Sequence, residues 1–216
     1  MGKDFGFGQY GASSAVLSPG KRREQSLKNL AFSSVISDDG PIQDNKAGKS
    51  VTPQQNPNTN DSNRHMLRHA LATIAYRGSK SMGGATDEFA RFRATESTRT
   101  PAELLAHLGD LMDWCLSQAQ GAPKWQPVPP LPWTEGKARF FAALKSFDDF
   151  LASDAPLQFS AEKMFQGPIA DALTHIGQIA ILRRIASTPI KGENFVAAEI
   201  AEGRVGEDQA PARKEF

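Results

Sequence analysis

The clearest signal for the fold lies at residues 100–121, which read TPAELLAHLGDLMDWCLSQAQG. Thr100 and Glu103 have the spacing of a capping box, in which each side chain binds the other residue's backbone N–H at a helix start. Pro101 takes the first helical position, where its fixed φ and missing N–H are favourable. Apolar residues then recur every three or four positions, as on one face of a helix that ends near Gly121. This stripe comprises Leu104, Leu108, Leu111, Met112 and Cys115.

Three further helical patterns flank this one, at residues 62–82, 134–151 and 167–185. Each has an apolar stripe at helical spacing and a recognisable end signal. The segment 123–132 is too rich in proline for a helix or a central strand, so it is predicted to be a crossover loop. Since no strand pattern is present, these features predict an all-α fold, an antiparallel four-helix bundle over residues 62–188 with one long crossover loop.

The segments on either side of this region differ from it in composition. Residues 1–61 are rich in Gly, Ser, Asn, Gln and Pro without a sustained period, which predicts a disordered segment. Because Met66 stands where periodic sequence begins, a second hypothesis is that the functional protein starts there and residues 1–61 are an extension outside it. Residues 189–216 are predicted to form a C-terminal extension, with a short helix around residues 195–200 and a polar tail.

Charge and hydropathy argue against several classes of partner. The 25 Lys and Arg residues nearly balance the 24 Asp and Glu residues, so the net charge of +1 offers no large electrostatic footprint for nucleic acid. The sequence has no apolar run of about 18 residues and no signal peptide, which predicts a cytoplasmic protein without a membrane partner. The single cysteine, Cys115, excludes an intramolecular disulfide and fits a reducing compartment.

Two predicted helices carry residues that suit a metal ion. Asp171 and His175 stand one turn apart beside the apolar face of the fourth helix, and Gln178 follows on the same side. His107 lies at the edge of the apolar stripe of the second helix, so it could reach the same interior. Two imidazoles and one carboxylate would leave coordination positions open, as in catalytic sites. A plainer interpretation stays open, in which Asp171 and His175 form a solvated surface contact and His107 is a core residue.

The sequence also resembles the DinB-like superfamily, which includes YfiT-type and mycothiol-dependent maleylpyruvate isomerase-type proteins. The resemblance rests on residues 100–107 (TPAELLAH) in the second helix, and on residues 175–179 (HIGQI) and 182–184 (LRR) in the fourth. It extends over about residues 64–187. The order and spacing of the helices contribute as much to it as these short motifs do.

The resemblance implies a four-helix bundle, often dimeric, that binds zinc, nickel or iron through one histidine of the second helix and an H-x-x-x-H pair of the fourth. His107 and His175 match two of these ligands, whereas Asp171 replaces the third histidine. The carboxylate makes the ligand set harder, which would shift metal preference, weaken binding or abolish the site. Members of the superfamily are expected to use the ion to stabilise a thiolate or hydroxide, so a low-molecular-weight thiol is the implied cosubstrate.

Two hypotheses about function follow. In the first, the protein is a metal-dependent thiol transferase or isomerase with His107, Asp171 and His175 as ligands, and Gln178 supports a ligand or contacts the substrate. In the second, it is a non-catalytic helical bundle without metal that binds a ligand or forms a homodimer. No motif in the sequence identifies the small-molecule substrate.

Other candidate residues are predicted to be structural. His65 and His69 share a helix face, but the arginines next to them would repel a cation, which favours simple solvent exposure. Cys115 belongs to the buried stripe, where a thiol has a raised pKa and is unreactive. Packing under the proline-rich loop, rather than lining a pocket mouth, is the role predicted for the tryptophans Trp114, Trp125 and Trp133.

Overall fold

The computed structural model describes residues 57–216 of the protein. No strand occurs in this part of the chain, where the only ladder-type pairing is an isolated antiparallel bridge. The all-α class predicted from the sequence is therefore confirmed for residues 57–216. None of the helices in this range combines the length and the apolar character needed to cross a membrane. The helices are α1 (Pro57–Met82), α2 (Asp87–Ala90), α3 (Pro101–Ala119), α4 (Trp133–Ala152), α5 (Ala161–Met164) and α6 (Ala170–Ile185).

The first helix begins earlier than the sequence indicated. α1 starts at Pro57 instead of near Ser62, and proline is well tolerated in a first helical turn. Residues 57–61, which their composition assigned to a disordered segment, are thus helical. The rest of that predicted segment lies outside the residues that the structure describes, and a functional start at Met66 stays a hypothesis.

The start of α3 has the capping box expected from its sequence. The hydroxyl of Thr100 accepts a hydrogen bond from the backbone N–H of Glu103 at 3.2 Å. In return, the Glu103 carboxylate accepts one from the backbone N–H of Thr100 at 2.6 Å. Such a cap contributes about 1 kcal/mol to stability. The whole predicted stripe of this helix is buried, namely Leu104, Leu108, Leu111, Met112 and Cys115.

The long helices share one apolar core. α1 packs against α4 and α6, and α3 also packs against both. Phe140 and Phe147 of α4 are fully buried in this core. Gly78 of α1 lets Phe140 approach closely, because a β-carbon at this glycine would lie 3.2 Å from the ring. The contact between α3 and α6 is the one that brings the candidate site together.

The sequence predicted a proline at the start of the helix that carries Asp171. The structure shows that the helix does not begin there. It continues α5 through a π-helical turn, Phe165–Ile169, that contains Pro168. Proline lacks the N–H of a regular helix and its ring clashes with the preceding turn, so a wider turn accommodates it. The predicted start at Gly167 and Pro168 is therefore wrong. α6 follows directly and has Asp171 in its first turn.

The C-terminal segment 186–216 consists of turns and irregular backbone and contains no helix. The short helix predicted around residues 195–200 is therefore wrong. Phe195 is held by α1 instead, since its ring centroid lies 4.1 Å from the guanidinium carbon of Arg77. This cation–π contact fixes the segment without requiring helical backbone.

Polar contacts also attach the C-terminal segment to α1. The carboxylate of Glu193 is buried and accepts a hydrogen bond from the hydroxyl of Tyr76 at 2.6 Å. Lys80 lies 2.8 Å from the second oxygen of Glu193 and 2.7 Å from Glu215. Val205 adds a buried apolar contact. The segment predicted as a polar tail is thus packed on the helical core.

The proline-rich connection between α3 and α4 forms no helix, as predicted, and is anchored on α3. The backbone N–H of Lys124 donates to the hydroxyl of Ser117 at 2.9 Å. The backbone N–H of Val128 donates to Oδ1 of Asp110 at 3.2 Å, and Arg139 of α4 donates to the same oxygen at 2.7 Å. These bonds fix the loop on both sides of residues 125–127.

Candidate metal centre

Side chains of α3 and α6 meet at one point. His107 comes from α3, and Asp171 and His175 stand one turn apart on α6. One possible ligand atom from each of these residues lies within 4.8 Å of the other two. The structure thus brings together the three residues that the sequence singles out as metal ligands.

The separations within this cluster suit shared coordination. Nε2 of His107 is 3.4 Å from Oδ2 of Asp171, and Nε2 of His175 is 3.3 Å from Oδ1 of the same carboxylate. Two ligand atoms bound to one zinc ion at about 2.0–2.1 Å in a tetrahedron are about 3.3 Å apart. Each imidazole nitrogen is therefore at such a spacing from one carboxylate oxygen, His107 from Oδ2 and His175 from Oδ1.

The cluster is partly enclosed and opens to solvent on one side. The side chain of His175 is 6% exposed, that of His107 is 18% exposed and that of Asp171 is 32% exposed. An ion bound here would be held against the helical core by His175. Its remaining coordination positions could be reached by a small molecule from the side of Asp171.

Gln178 determines which nitrogen of His175 faces the cluster. Oε1 of Gln178 is 2.8 Å from Nδ1 of His175 and accepts its proton. In a neutral imidazole the other nitrogen, Nε2, then has a free lone pair. Nε2 is buried and has no hydrogen-bond partner within the part of the chain that the structure describes. Buried polar atoms without a partner are rare in folded proteins.

This lone pair faces a carboxylate oxygen. The 3.3 Å contact between Nε2 of His175 and Oδ1 of Asp171 lacks the geometry of a hydrogen bond. A neutral imidazole nitrogen and a carboxylate oxygen both donate electron pairs, so a cation between them, a proton or a metal ion, would satisfy both. A divalent metal ion would do so, and its other ligand would be His107. The residues present therefore fit a metal ion.

Electrostatics keep Asp171 ionised. Contact with His107, and next with His175, holds the pKa of the Asp171 carboxyl well below its usual range, and burial opposes this effect only in part. The carboxylate is therefore charged at neutral pH. Metal ligands must be deprotonated to bind, so Asp171 is ready to act as an anionic ligand.

Trp125 is a neighbour of the cluster that the sequence analysis did not assign to it. The ring centroids of His107 and Trp125 are 5.8 Å apart at an interplanar angle of 71°. Packing was the role predicted for all three tryptophans, and it holds for Trp133, which is 2% exposed. Trp125 is 41% exposed beside the site. Its position depends on the path of an irregular loop, which no periodic pattern encodes.

His65, His69 and Cys115 do not belong to the cluster. His65 and His69 are both exposed, as predicted, and His65 contacts Glu202 at 3.0 Å. Cys115 is fully buried, and burial raises the pKa of its thiol above the usual range. The prediction that this thiol is not a reactive group is consistent with both observations. Gln178 contacts the ligand candidate His175, which is one of the two roles that the first functional hypothesis gave it.

His107, Asp171 and His175 could therefore hold one metal ion with open coordination positions. Comparison of the chain with protein-family models, with curated proteins and with solved structures gives no match. The geometry of this site is therefore the basis for a proposed function.

Proposed function

We propose that this protein is a metal-dependent enzyme of the DinB-like type that binds one divalent ion through His107, Asp171 and His175. The observation that carries the proposal is the buried Nε2 of His175, which has no hydrogen-bond partner among the described residues and lies 3.3 Å from a carboxylate oxygen of Asp171. Leaving such an atom without a partner costs roughly 1–3 kcal/mol. Coordination of an ion by Nε2 would remove that cost.

The proposed architecture is an antiparallel four-helix bundle formed by α1, α3, α4 and α6. Support comes from the packing of α1 and α3 against both α4 and α6. The ligands also have the distribution that the sequence resemblance implies, with one residue on α3 and two residues one turn apart on α6. The C-terminal segment packs on α1, and the side chain of Asp171 remains 32% exposed.

The proposed reaction is a thiol-dependent transfer or isomerisation. A bound divalent ion would supply stabilisation of a thiolate or hydroxide at neutral pH. Cys115 is buried with a raised thiol pKa, so the thiol would come from a small molecule. Two imidazoles and one carboxylate suit zinc and iron(II), the ions that such sites hold in other enzymes.

Metal analysis of protein purified without a histidine tag tests the proposal. We expect about one zinc, nickel or iron ion per chain in the wild type and a large loss in His175→Ala and His107→Ala. His69→Ala is the matched control, because His69 is an exposed histidine on α1. Chelation should lower the melting temperature of the wild type, since an ion that binds only the folded state stabilises it.

The same measurements can also contradict the proposal. Substoichiometric metal in the wild type, unchanged in the His107 and His175 variants and without a chelator effect on melting, would contradict the enzyme proposal. The protein would then be a non-catalytic helical module for ligand binding or dimerisation.

A further inference from the structure

We propose that Trp125 is a specificity-determining residue that makes the centre prefer molecules whose metal-binding group carries a flat apolar or aromatic body. The inference depends on the proposed function, because it assumes an ion at His107, Asp171 and His175. It adds a substrate class that neither the ligand set nor the sequence resemblance specifies.

A continuous series of aromatic ring contacts ends at the proposed metal site. Trp114 and Trp125 have ring centroids 5.7 Å apart, and Trp125 lies 5.8 Å from the ring of His107. His107 in turn is 4.8 Å from the ring of His175. The indole of Trp125 thus contacts the ring of His107, which is itself a proposed ligand.

Trp125 also remains exposed to solvent. It is 41% exposed, whereas Trp133 in the core is 2% exposed. A large aromatic side chain that remains uncovered beside a site with open coordination positions offers apolar area to a bound molecule. His107 and Asp171 are also partly exposed, and the ring of His107 contacts the indole.

The loop backbone that carries Trp125 is held on both sides of this residue. Lys124 precedes it and donates its N–H to Ser117, and Val128 follows it and donates its N–H to Asp110. The prolines around it restrict the backbone further. Binding against a preorganised surface loses little conformational entropy, so the contact adds to affinity.

The chemistry that fits is an anionic chelating head with a ring attached to it. The head would occupy the open coordination positions, and the ring would contact the face or edge of the indole. Aromatic pairs favour such offset or edge contacts over a face-to-face stack. A molecule with the same head and no ring would lose this contact and keep the coordination.

A pair of hydroxamates tests the inference on the zinc-loaded full chain. Benzohydroxamate has the ring, and acetohydroxamate has the same chelating head with a methyl group. Calorimetric titration should show a preference of about tenfold for benzohydroxamate in the wild type. We expect Trp125→Ala to abolish that preference and Trp125→Phe to retain part of it. Gln126→Ala, which changes an exposed neighbour on the same loop, should behave as the wild type.

Controls separate this inference from the proposed function. Zinc content and melting temperature are measured for each variant before and after titration, and both should match the wild type in Trp125→Phe. If zinc binds at the three ligands but Trp125→Ala keeps the wild-type preference, the specificity role of Trp125 is refuted and the metal site stands. If the wild type binds no zinc, the proposed function is refuted and this inference with it.

Discussion

Nδ1 of His175 lies 2.8 Å from Oε1 of Gln178, which is one turn further along α6. The contact orients the imidazole and leaves Nε2 as the nitrogen that faces Asp171. Residues that hold a metal-ligating histidine in this way are part of the site, because they set its tautomer and basicity. The account of the metal centre therefore extends to Gln178.

The first prediction concerns this glutamine. Gln178→Leu removes the hydrogen-bond acceptor for Nδ1 of His175, so zinc affinity should fall roughly 10- to 100-fold. Gln178→Glu keeps an acceptor oxygen at the same position and should retain most of the affinity. Competition with a fluorescent zinc chelator measures both. Equal affinity in Gln178→Leu and the wild type would show that the contact has no role in metal binding.

The second prediction concerns the carboxylate. Asp171→Asn removes the anionic ligand and should weaken zinc binding by at least about tenfold. Asp171→His introduces the histidine that the resemblance to the DinB-like superfamily implies at this position. The variant should bind zinc and nickel but lose affinity for manganese, which prefers oxygen ligands. Metal competition followed by elemental analysis gives the selectivity. An unchanged order of preference in Asp171→His would argue that residue 171 is not a ligand.

Much of the fold could be predicted from local sequence. The capping box at Thr100 and Glu103 and the stripe that follows it are found as expected, because they depend only on residues within one helix. The proline-rich loop was also predictable, since proline removes backbone donors. The proximity of His107 to Asp171 and His175 is harder to predict from sequence, because it requires two helices far apart in the chain to pack together.

Several features of the structure were not predicted. Pro168 was expected to begin a helix, but it lies inside a π-helical turn through which α5 continues into α6. Phe195 lies in turns, and its ring contacts Arg77 of α1, a partner distant in sequence. Trp125 reaches the site through a loop whose path is set by hydrogen bonds to α3. Periodicity carries no information about such contacts.

The third prediction concerns a close approach between α3 and α4. A β-carbon at Gly109 would lie 2.6 Å from Nη1 of Arg139, which donates to the carbonyl of Ala106 at 3.0 Å. Gly109→Ala should therefore destabilise the protein by about 1–2 kcal/mol, although alanine favours helices. Gly177→Ala is the control, since a β-carbon there meets no atom within 4 Å. It should stabilise by about 0.5–1 kcal/mol.

Chemical denaturation of the two glycine variants measures these differences. A stabilising effect of Gly109→Ala similar to that of Gly177→Ala would mean that Arg139 moves away at no cost, and that its hydrogen bonds contribute little.

The fourth prediction concerns alkaline pH and the C-terminal segment. Burial, together with the hydrogen bond to Glu193, raises the pKa of Tyr76 to about 12, whereas an unfolded tyrosine titrates near about 10. A group whose pKa is raised on folding contributes stability that is fully present below the unfolded pKa. That stability is lost as the pH rises between about 10 and about 12. The free energy of unfolding should fall in this window by on the order of 2 kcal/mol.

Tyr76→Phe isolates this effect. The variant has no hydroxyl to ionise, so its free energy of unfolding should fall less than that of the wild type between about pH 8 and about pH 11. Lys80, whose pKa is also raised in the folded state, is present in both proteins and contributes equally to their decline. Identical pH profiles for the two proteins would contradict the buried contact between Tyr76 and Glu193.

The most direct measurement is an anomalous difference map from crystals of the zinc-loaded protein, collected on both sides of the zinc absorption edge. The account predicts one peak at about 2.0–2.1 Å from Nε2 of His175 and from ligand atoms of His107 and Asp171. Nδ1 of His175 should remain on Gln178. A map without a peak at these side chains, or with zinc only at surface histidines such as His65 and His69, would contradict it.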